Sequence, residues 1–442
     1  MLPSWIQMRG KLESYFEFAR LGASWRTEIL AGATTFITMA YIVFVNPSIL
    51  GEAGMPVGAV TAATCLSAAL GSILMGAVAR YPIALAPGMG LNAYFTYVVV
   101  KGLGVSWQVA LGAVFLSGVA FLLLTLTGLR QKIVEAMPAD LYAAVAVGIG
   151  LFIAFIGLKN AGIIVPDPAT IVRLGNLREP TTVLAICGLL LIGALLAWRV
   201  RAAMLLGILG TSLLGAIFGL TQWSWQPSYL PQLGQSAFQL DVRGALGLGL
   251  LEIVFVFLFV DLFDNLGTLV AVTKKAGLLD NQQKIPRVGR ILLCDSIATM
   301  FGSLLGTSTV VSYIESASGV LAGGRTGVTA IVTGLLFLVA LFAAPIVGVI
   351  PAAATAPALI LVGSMMMSHA AEIRWDDAEV AIPAFLTILA IPLSFSIANG
   401  VAFGFVAYTL LKLAQGKWQE VGWLVYGLTA LFIARFFYLS GG

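Results

Sequence analysis

The chain has 442 residues, of which 60% are hydrophobic and 10% charged. A soluble domain carries about 25% charged residues, so composition excludes an ordinary soluble protein and leaves a membrane protein with room for many crossings of about 20 residues each. The formal net charge of +4 is too small to point to nucleic acid, and Cys65, Cys187 and Cys294 stand singly, with no metal spacing and no disulfide framework.

Residues 1–27 mix Arg9, Lys11, Arg20 and Arg26 with Trp5, Phe16, Phe18 and Trp25. This reads as an amphipathic segment at the cytoplasmic interface, not a cleavable signal. Apolar segments are predicted near 28–50, 58–79, 82–99, 107–129, 139–159, 180–198 and 202–220. A second set is predicted near 246–273, 288–305, 308–322, 326–350, 353–370, 377–395 and 397–414. A last apolar run, 421–440, is either a terminal interfacial helix or the mark of one span split too many.

Loop charge tests this count. With the N-terminus inside, 18 of the 24 Lys and Arg residues fall on the cytoplasmic side. Lys101, Lys159, Arg173, Arg178 and Arg243 fall on the other, and Arg435 lies in the last run. That asymmetry is what the positive-inside rule asks for. It favours fourteen spans, both termini cytoplasmic, and a multi-pass protein of the cell membrane.

The two sets of seven read as repeats. The third place in each is interrupted, by Pro82, Pro87, Gly88 and Gly90 in one and by Gly302, Gly306 and Gly319 in the other. Asn92 and Glu315 stand 223 residues apart in corresponding places. Seven is odd, so the second set runs opposite to the first. The expected fold is an all-α polytopic membrane protein of fourteen segments in 7+7 inverted repeats. Segments 3 and 10 are expected as a short extended strand followed by a half-helix. Such matched broken segments mark the binding site of a secondary transporter, because extended backbone at membrane depth survives only when buried in protein or lining a cavity.

Between the broken segments in sequence lies Phe255-Val-Phe-Leu-Phe-Val-Asp261-Leu-Phe-Asp264-Asn265-Leu-Gly267-Thr268. A carboxylate at that depth costs several kcal/mol even on lenient scales, which makes it a functional candidate. In a helix Asp261 and Asp264 share a face, and two acids so placed split their titration, one proton being held tighter. The candidate constellation is therefore Asn92, Asp261, Asp264 and Glu315. Hydroxyls of Thr268, Thr307, Ser308 and Ser312 join it, with Tyr94, Phe95 and Phe263 nearby in sequence. It suits a planar ligand bearing both donors and acceptors. A small anion is the alternative substrate, but no Lys or Arg lies deep in these segments. A channel would not need a buried acid pair. An enzyme would show a nucleophile, base or metal spacing such as His-Glu-x-x-His, and none is present.

Four stretches carry a resemblance: Ala31–Pro47, Ala86–Tyr94, Asp261–Thr268 and Thr307–Gly327. They resemble the nucleobase–cation symporter-2 family, the nucleobase:ascorbate transporters, and within it the adenine/guanine/hypoxanthine permease branch. The resemblance covers nearly the whole chain. It implies a core domain of spans 1–4 and 8–11 (28–129 and 246–350) and a gate domain of spans 5–7 and 12–14 (139–220 and 353–442, with the C-terminal segment). It also implies uptake of a purine nucleobase (hypoxanthine/guanine and/or adenine, with another nucleobase as the alternative) coupled to a proton, no other cofactor, and a homodimer joined through the gate domains. Asn92, Asp261 and Glu315 match the branch's essential polar positions, so that Asn92, Asp261, Glu315, Phe95, Thr307 and Ser308 are the expected substrate-binding residues. Asp261, Asp264 and Glu315 are the expected proton-coupling acids. Relatives' His or Asp after the Gly267 position is Thr268 here, so a histidine relay does not carry over. His369, the one histidine, falls at the cytoplasmic end of span 12.

Overall fold

The computed structural model describes residues 4–128, 138–220, 229–247, 251–280, 285–343 and 350–438. In chain order the main helices are α1 (Ser4–Tyr15), α2 (Trp25–Gly51), α3 (Val57–Ala79), α4 (Met89–Val100), α5 (Trp107–Leu126), α6 (Ala139–Asn160), α7 (Pro180–Ala197) and α8 (Ala203–Ile217). There follow α9 (Leu251–Ala276), α10 (Val288–Leu305), α11 (Ser316–Leu321), α12 (Gly327–Ala343), α13 (Ala352–Glu372), α14 (Ala378–Leu393), α15 (Ile397–Ala414) and α16 (Trp423–Tyr438). Among the described residues eight of these helices are long and apolar enough to cross a membrane. The strands are β1 (Leu85–Pro87), β2 (Ile164–Asp167), β3 (Ile171–Leu174) and β4 (Val310–Ser312).

Local chemistry sets the boundaries. Ser24, Ser106 and Ser396 each cap a helix, accepting from the backbone N–H three residues on. Pro82 and Pro87 cannot donate to a helix, and the chain between them runs extended into β1. Gly306 closes α10 with φ +96°, a conformation that favours glycine, and releases the chain into β4. Beyond α6 the chain forms a β2–β3 hairpin that the apolar pattern does not reveal. Its turn is held by Asp167, which accepts from the N–H groups of Ala169 and Thr170; these bonds hold its carboxyl below the usual range.

The packing is reciprocal. α5 lies on α9 and α10, while α12 lies on α2 and α3. α7 packs on α8 and α13, while α14 packs on α15 and α6. Glycines let backbones touch: a Cβ on Gly76 would come within 2.3 Å of the Gly327 carbonyl oxygen, and one on Gly363 within 2.3 Å of that of Gly150. Glu28, fully buried, reaches from α2 to the start of α12 and accepts from the N–H groups of Arg325, Thr326 and Thr329. Those are groups a helix N-terminus otherwise leaves unpaired.

The two ends of the chain are folded onto this body. Tyr15 Oη donates to the Ala77 carbonyl (2.6 Å), and Glu17 pairs with Arg80 (3.2 Å) and Arg287 (3.1 Å), so α1 is tied to the end of α3. Met8 and Leu12 of α1 stay exposed. The terminal run forms α16, which lies antiparallel along α15. Thr429 meets Thr409 (2.8 Å), Phe432 lies 5.9 Å from Phe405, and Phe436 lies 5.5 Å from Phe403. It therefore runs back beside the preceding helix and does not lie across its end.

Candidate functional site

The two interrupted segments meet. β1 and β4 pair antiparallel, Leu85 opposite Ser312 and Pro87 opposite Val310. The ladder continues at both ends, Gly88 N–H donating to the Thr309 carbonyl (2.9 Å) and Tyr313 N–H to that of Ala84 (3.0 Å). Each strand leads directly into a short helix, α4 or α11. A strand-plus-half-helix in each broken segment is thus what the structure contains, and all six strand residues are buried.

Asn92, fully buried on α4, donates from Nδ2 to Asn46 Oδ1 (2.5 Å) and accepts at Oδ1 from Ser308 Oγ. Asn46 in turn donates to Thr64 Oγ1 (2.7 Å) and Thr307 Oγ1 (2.9 Å). Three of the predicted residues, Asn92, Thr307 and Ser308, are therefore in one network, and its hub is a residue on α2 that the sequence reading did not single out. The network links α2, α3, α4 and the β4 approach.

Glu315, at the start of α11, accepts from Tyr41 Oη at 2.6 Å. Tyr41 sits where α2 is interrupted between Met39 and Ile42. Asp261 is fully buried on α9. One turn on, Asn265 accepts from the Ser312 N–H (3.2 Å) and donates to Asp295 Oδ1 on α10. Asp295, fully buried, is a third acid at this depth that the sequence reading passed over. The rule applied to Asp261 would have flagged it, since it too is an acid within an apolar run.

Phe95 is fully buried with its ring 6.4 Å from Phe257, and Tyr94 meets Phe257 edge-on at 5.1 Å. The hydroxyls of Thr309 and Ser312 are buried and have no hydrogen-bond partner among the described residues. The side chains of Asp264 and Phe263 lie outside the described residues, so the predicted Asp261/Asp264 pairing is not seen. Thr268 is half-buried on α9, and His369 bonds Glu372 (3.0 Å) beside the end of α13. A void of about 10 Å³, lined by Phe255, Val256, Phe259, Val260, Ala398, Val401 and Phe432, separates α9 from α15 and α16. It has space for a water and no more, so these helices are closed on one another.

A group of amides, hydroxyls and carboxylates buried around paired strands, with no Lys or Arg among them, can hydrogen-bond a neutral polar ligand on several edges. The comparisons agree with this chemistry. Residues 26–411 match the model of a permease family. The guanine/hypoxanthine permease PbuG of Bacillus subtilis is 47% identical over 443 residues, covering 97% of this chain and 100% of its own length. The adenine permease AdeP of Escherichia coli is 45% identical over 432 residues, covering 98% of this chain and 97% of its own. Among solved structures, the transmembrane domain of the cyanobacterial bicarbonate transporter BicA superposes with a TM-score of 0.63 over 86% of this chain and 96% of that one, at 18% identity, a likeness of fold. The chain belongs to this permease family, the nucleobase:ascorbate transporters that its motifs resemble.

Proposed function

We propose that the protein is a proton-coupled symporter that takes up purine nucleobases by alternating access. One observation carries the reading: Asn92, Ser308, Thr307 and Glu315 gather at the paired broken segments of a chain similar over nearly its whole length to adenine and guanine/hypoxanthine permeases. Asn92, Asp261 and Glu315 hydrogen-bond the edges of the base, Thr307 and Ser308 line the site, Ser308 bonding Asn92 directly and Thr307 reaching it through Asn46, and Phe95 bounds the pocket on the α4 side. Protonation of Asp261, Asp264 and Glu315 neutralises a site that is costly to bury charged. Base and proton are then released together on the inner side.

The supporting architecture is fourteen spans in 7+7 inverted repeats, with α2–α8 and α9–α15 as the halves and β1–α4 and β4–α11 as the third member of each. The exchange of partners favours this: α5 on α9 and α10 mirrors α12 on α2 and α3, and α7 on α13 mirrors α14 on α6. In this frame α2–α5 with α9–α12 form the core, and α6–α8 with α13–α15 form the gate, the seat of a homodimer. The N-terminus and the connection after α15 are cytoplasmic, and α16 is an addition beyond the repeats that re-enters beside α15.

The test is uptake of radiolabelled hypoxanthine by cells lacking their own purine permeases. Accumulation is expected to collapse with a protonophore and to be competed by unlabelled guanine or adenine but not by uracil or bicarbonate. Uptake indifferent to the proton gradient, or competed by bicarbonate alone, overturns the reading.

A further inference from the structure

Every strand has two edges. In the β1–β4 ribbon the inner edges pair with each other, which leaves an outer edge on each strand inside an apolar body. An unpaired N–H or C=O there costs about 1–3 kcal/mol. On the outer side of β1, Ser72 Oγ of α3 accepts from the Leu85 N–H (2.9 Å) and donates to the Leu85 carbonyl (3.1 Å). On the outer side of β4, Thr299 Oγ1 of α10 accepts from the Val310 N–H (3.3 Å) and donates to the Val310 carbonyl (3.0 Å).

The two arrangements are the same. In each, one hydroxyl serves both backbone groups of the first residue of a strand, from the helix that precedes the broken segment. A hydroxyl suits the task because it carries one donor and two acceptor sites. Neighbouring hydroxyls on the same helices behave differently: Thr64 donates back to the Val60 carbonyl (2.6 Å) and Ser296 to that of Leu292 (2.8 Å), the ordinary habit of Ser and Thr in helices. Ser72 and Thr299, both fully buried, are turned to the strands. A glycine makes the recess in each case. A Cβ on Gly71 would meet Leu85 Cβ at 3.0 Å, and one on Gly302 would meet Val310 Cγ2 at 2.7 Å.

We propose that Ser72 and Thr299 are a matched pair of positioning residues that bracket the ribbon from both sides and set the placement of Asn92 and Glu315. Asn92 follows β1 by five residues and Glu315 follows β4 by three, so a strand freed on its outer edge carries its binding residue with it. The bracket also ties the ribbon to α3 and α10, so these helices and the binding residues move as one piece during transport. This assignment of role rests on the purine-transport reading above; the bracket geometry does not.

The experiment uses the full chain with Thr299→Val, which removes the hydroxyl at nearly constant shape, Thr299→Ser, which keeps it, and Ser72→Ala. Uptake kinetics are measured in cells and hydrogen exchange in the purified protein. Thr299→Val and Ser72→Ala are expected to raise the half-saturation concentration for hypoxanthine about tenfold, the effect of about 1.4 kcal/mol. Maximal rate and membrane abundance are expected to stay within about twofold of the parent, and Thr299→Ser to restore the parental value. Exchange at 84–88 and 309–313 is expected to rise in the two hydroxyl-free variants alone. Parental half-saturation together with parental exchange in Thr299→Val overturns the proposal, as does a Thr299→Ser variant no better than Thr299→Val. Should the parent transport no purine, the functional reading falls, while the exchange result still decides the bracket.

Discussion

At the scale of single residues, the polar side chains around the paired strands differ in what their burial costs. Asp261 and Glu315 stand out because burying a carboxylate is expensive, and Asn92 because it follows a Pro-Gly break. Asn46 is quieter. An amide in a membrane helix costs less than an acid, and nothing in the run Ile42–Gly51 other than Pro47 breaks the helical pattern. Its importance is a matter of what three dimensions bring to it, namely Thr64, Asn92 and Thr307. Removing it takes one partner from each of three side chains at once. Asn46→Ala is therefore expected to weaken hypoxanthine uptake about tenfold or more, at about 1 kcal/mol for each net hydrogen bond. Asn92→Ala, which severs two bonds of the same network, should not add its full effect in the double variant, since residues of one network couple. Strict additivity in uptake kinetics would separate the two amides. Glu315→Gln tests the other side of the site. It keeps the shape and an acceptor for Tyr41 Oη but holds no transferable proton, so proton-driven accumulation is expected to be lost while exchange of base for base is retained. Full accumulation by this variant would remove Glu315 from the coupling path.

At the scale of elements, helices and their ends followed from the apolar pattern, and the extended pieces from Pro82, Pro87 and Gly306. The pairing of β1 with β4 was not legible, because three-residue strands carry too few side chains to specify a partner or a register. The register rests instead on contacts distant in sequence, such as Ser316 Oγ accepting from the Ala84 N–H (3.0 Å) and the Ser72 and Thr299 brackets. The β2–β3 hairpin escaped notice since it lies outside any apolar segment. Close helix crossings leave no mark in the apolar pattern and are seen in the structure. Gly76 and Gly327 put α3 and α12 in backbone contact, a Cβ on Gly327 coming within 2.0 Å of the Gly76 carbonyl oxygen. Backbone cannot step aside as a flexible side chain can. Gly327→Ala is expected to force the helices apart and destabilise the protein by about 1–3 kcal/mol, seen as a lower melting temperature in detergent. Gly10→Ala, inside α1 with nothing within 4 Å, should not lower melting, since alanine favours a helix interior over glycine.

At the scale of the whole molecule, alternating access asks the α2–α5/α9–α12 group to move against the α6–α8/α13–α15 group, so the seam between them must be held by contacts weak enough to break. Hydrogen bonds that cross it include two: Asn160 Nδ2 donates to Tyr97 Oη (3.0 Å), and Ser48 and Thr355 meet through their hydroxyls (3.1 Å). The ion pairs Arg374–Asp140 and Lys412–Glu379, by contrast, stay within the second group. Asn160 ends α6, Ser48 and Tyr97 lie near the ends of α2 and α4, and Thr355 begins α13. In the proposed orientation all four lie toward the outer side, so the two bonds hold that end of the seam together. At about 1 kcal/mol each, the two bonds together bias the seam by about 2 kcal/mol, enough to change an opening equilibrium roughly thirtyfold. Tyr97→Phe keeps the ring and removes the hydroxyl, and Thr355→Val does the same for the second bond. The double variant is expected to open outward more often, with faster amide exchange at 96–101 and 156–160 than in the parent and unchanged exchange at 139–145. Uptake is expected to slow, because each cycle must close that seam before the inner side opens. Equal acceleration of exchange at both ends of α6 would instead mean that the bonds stabilise the fold and play no part in gating.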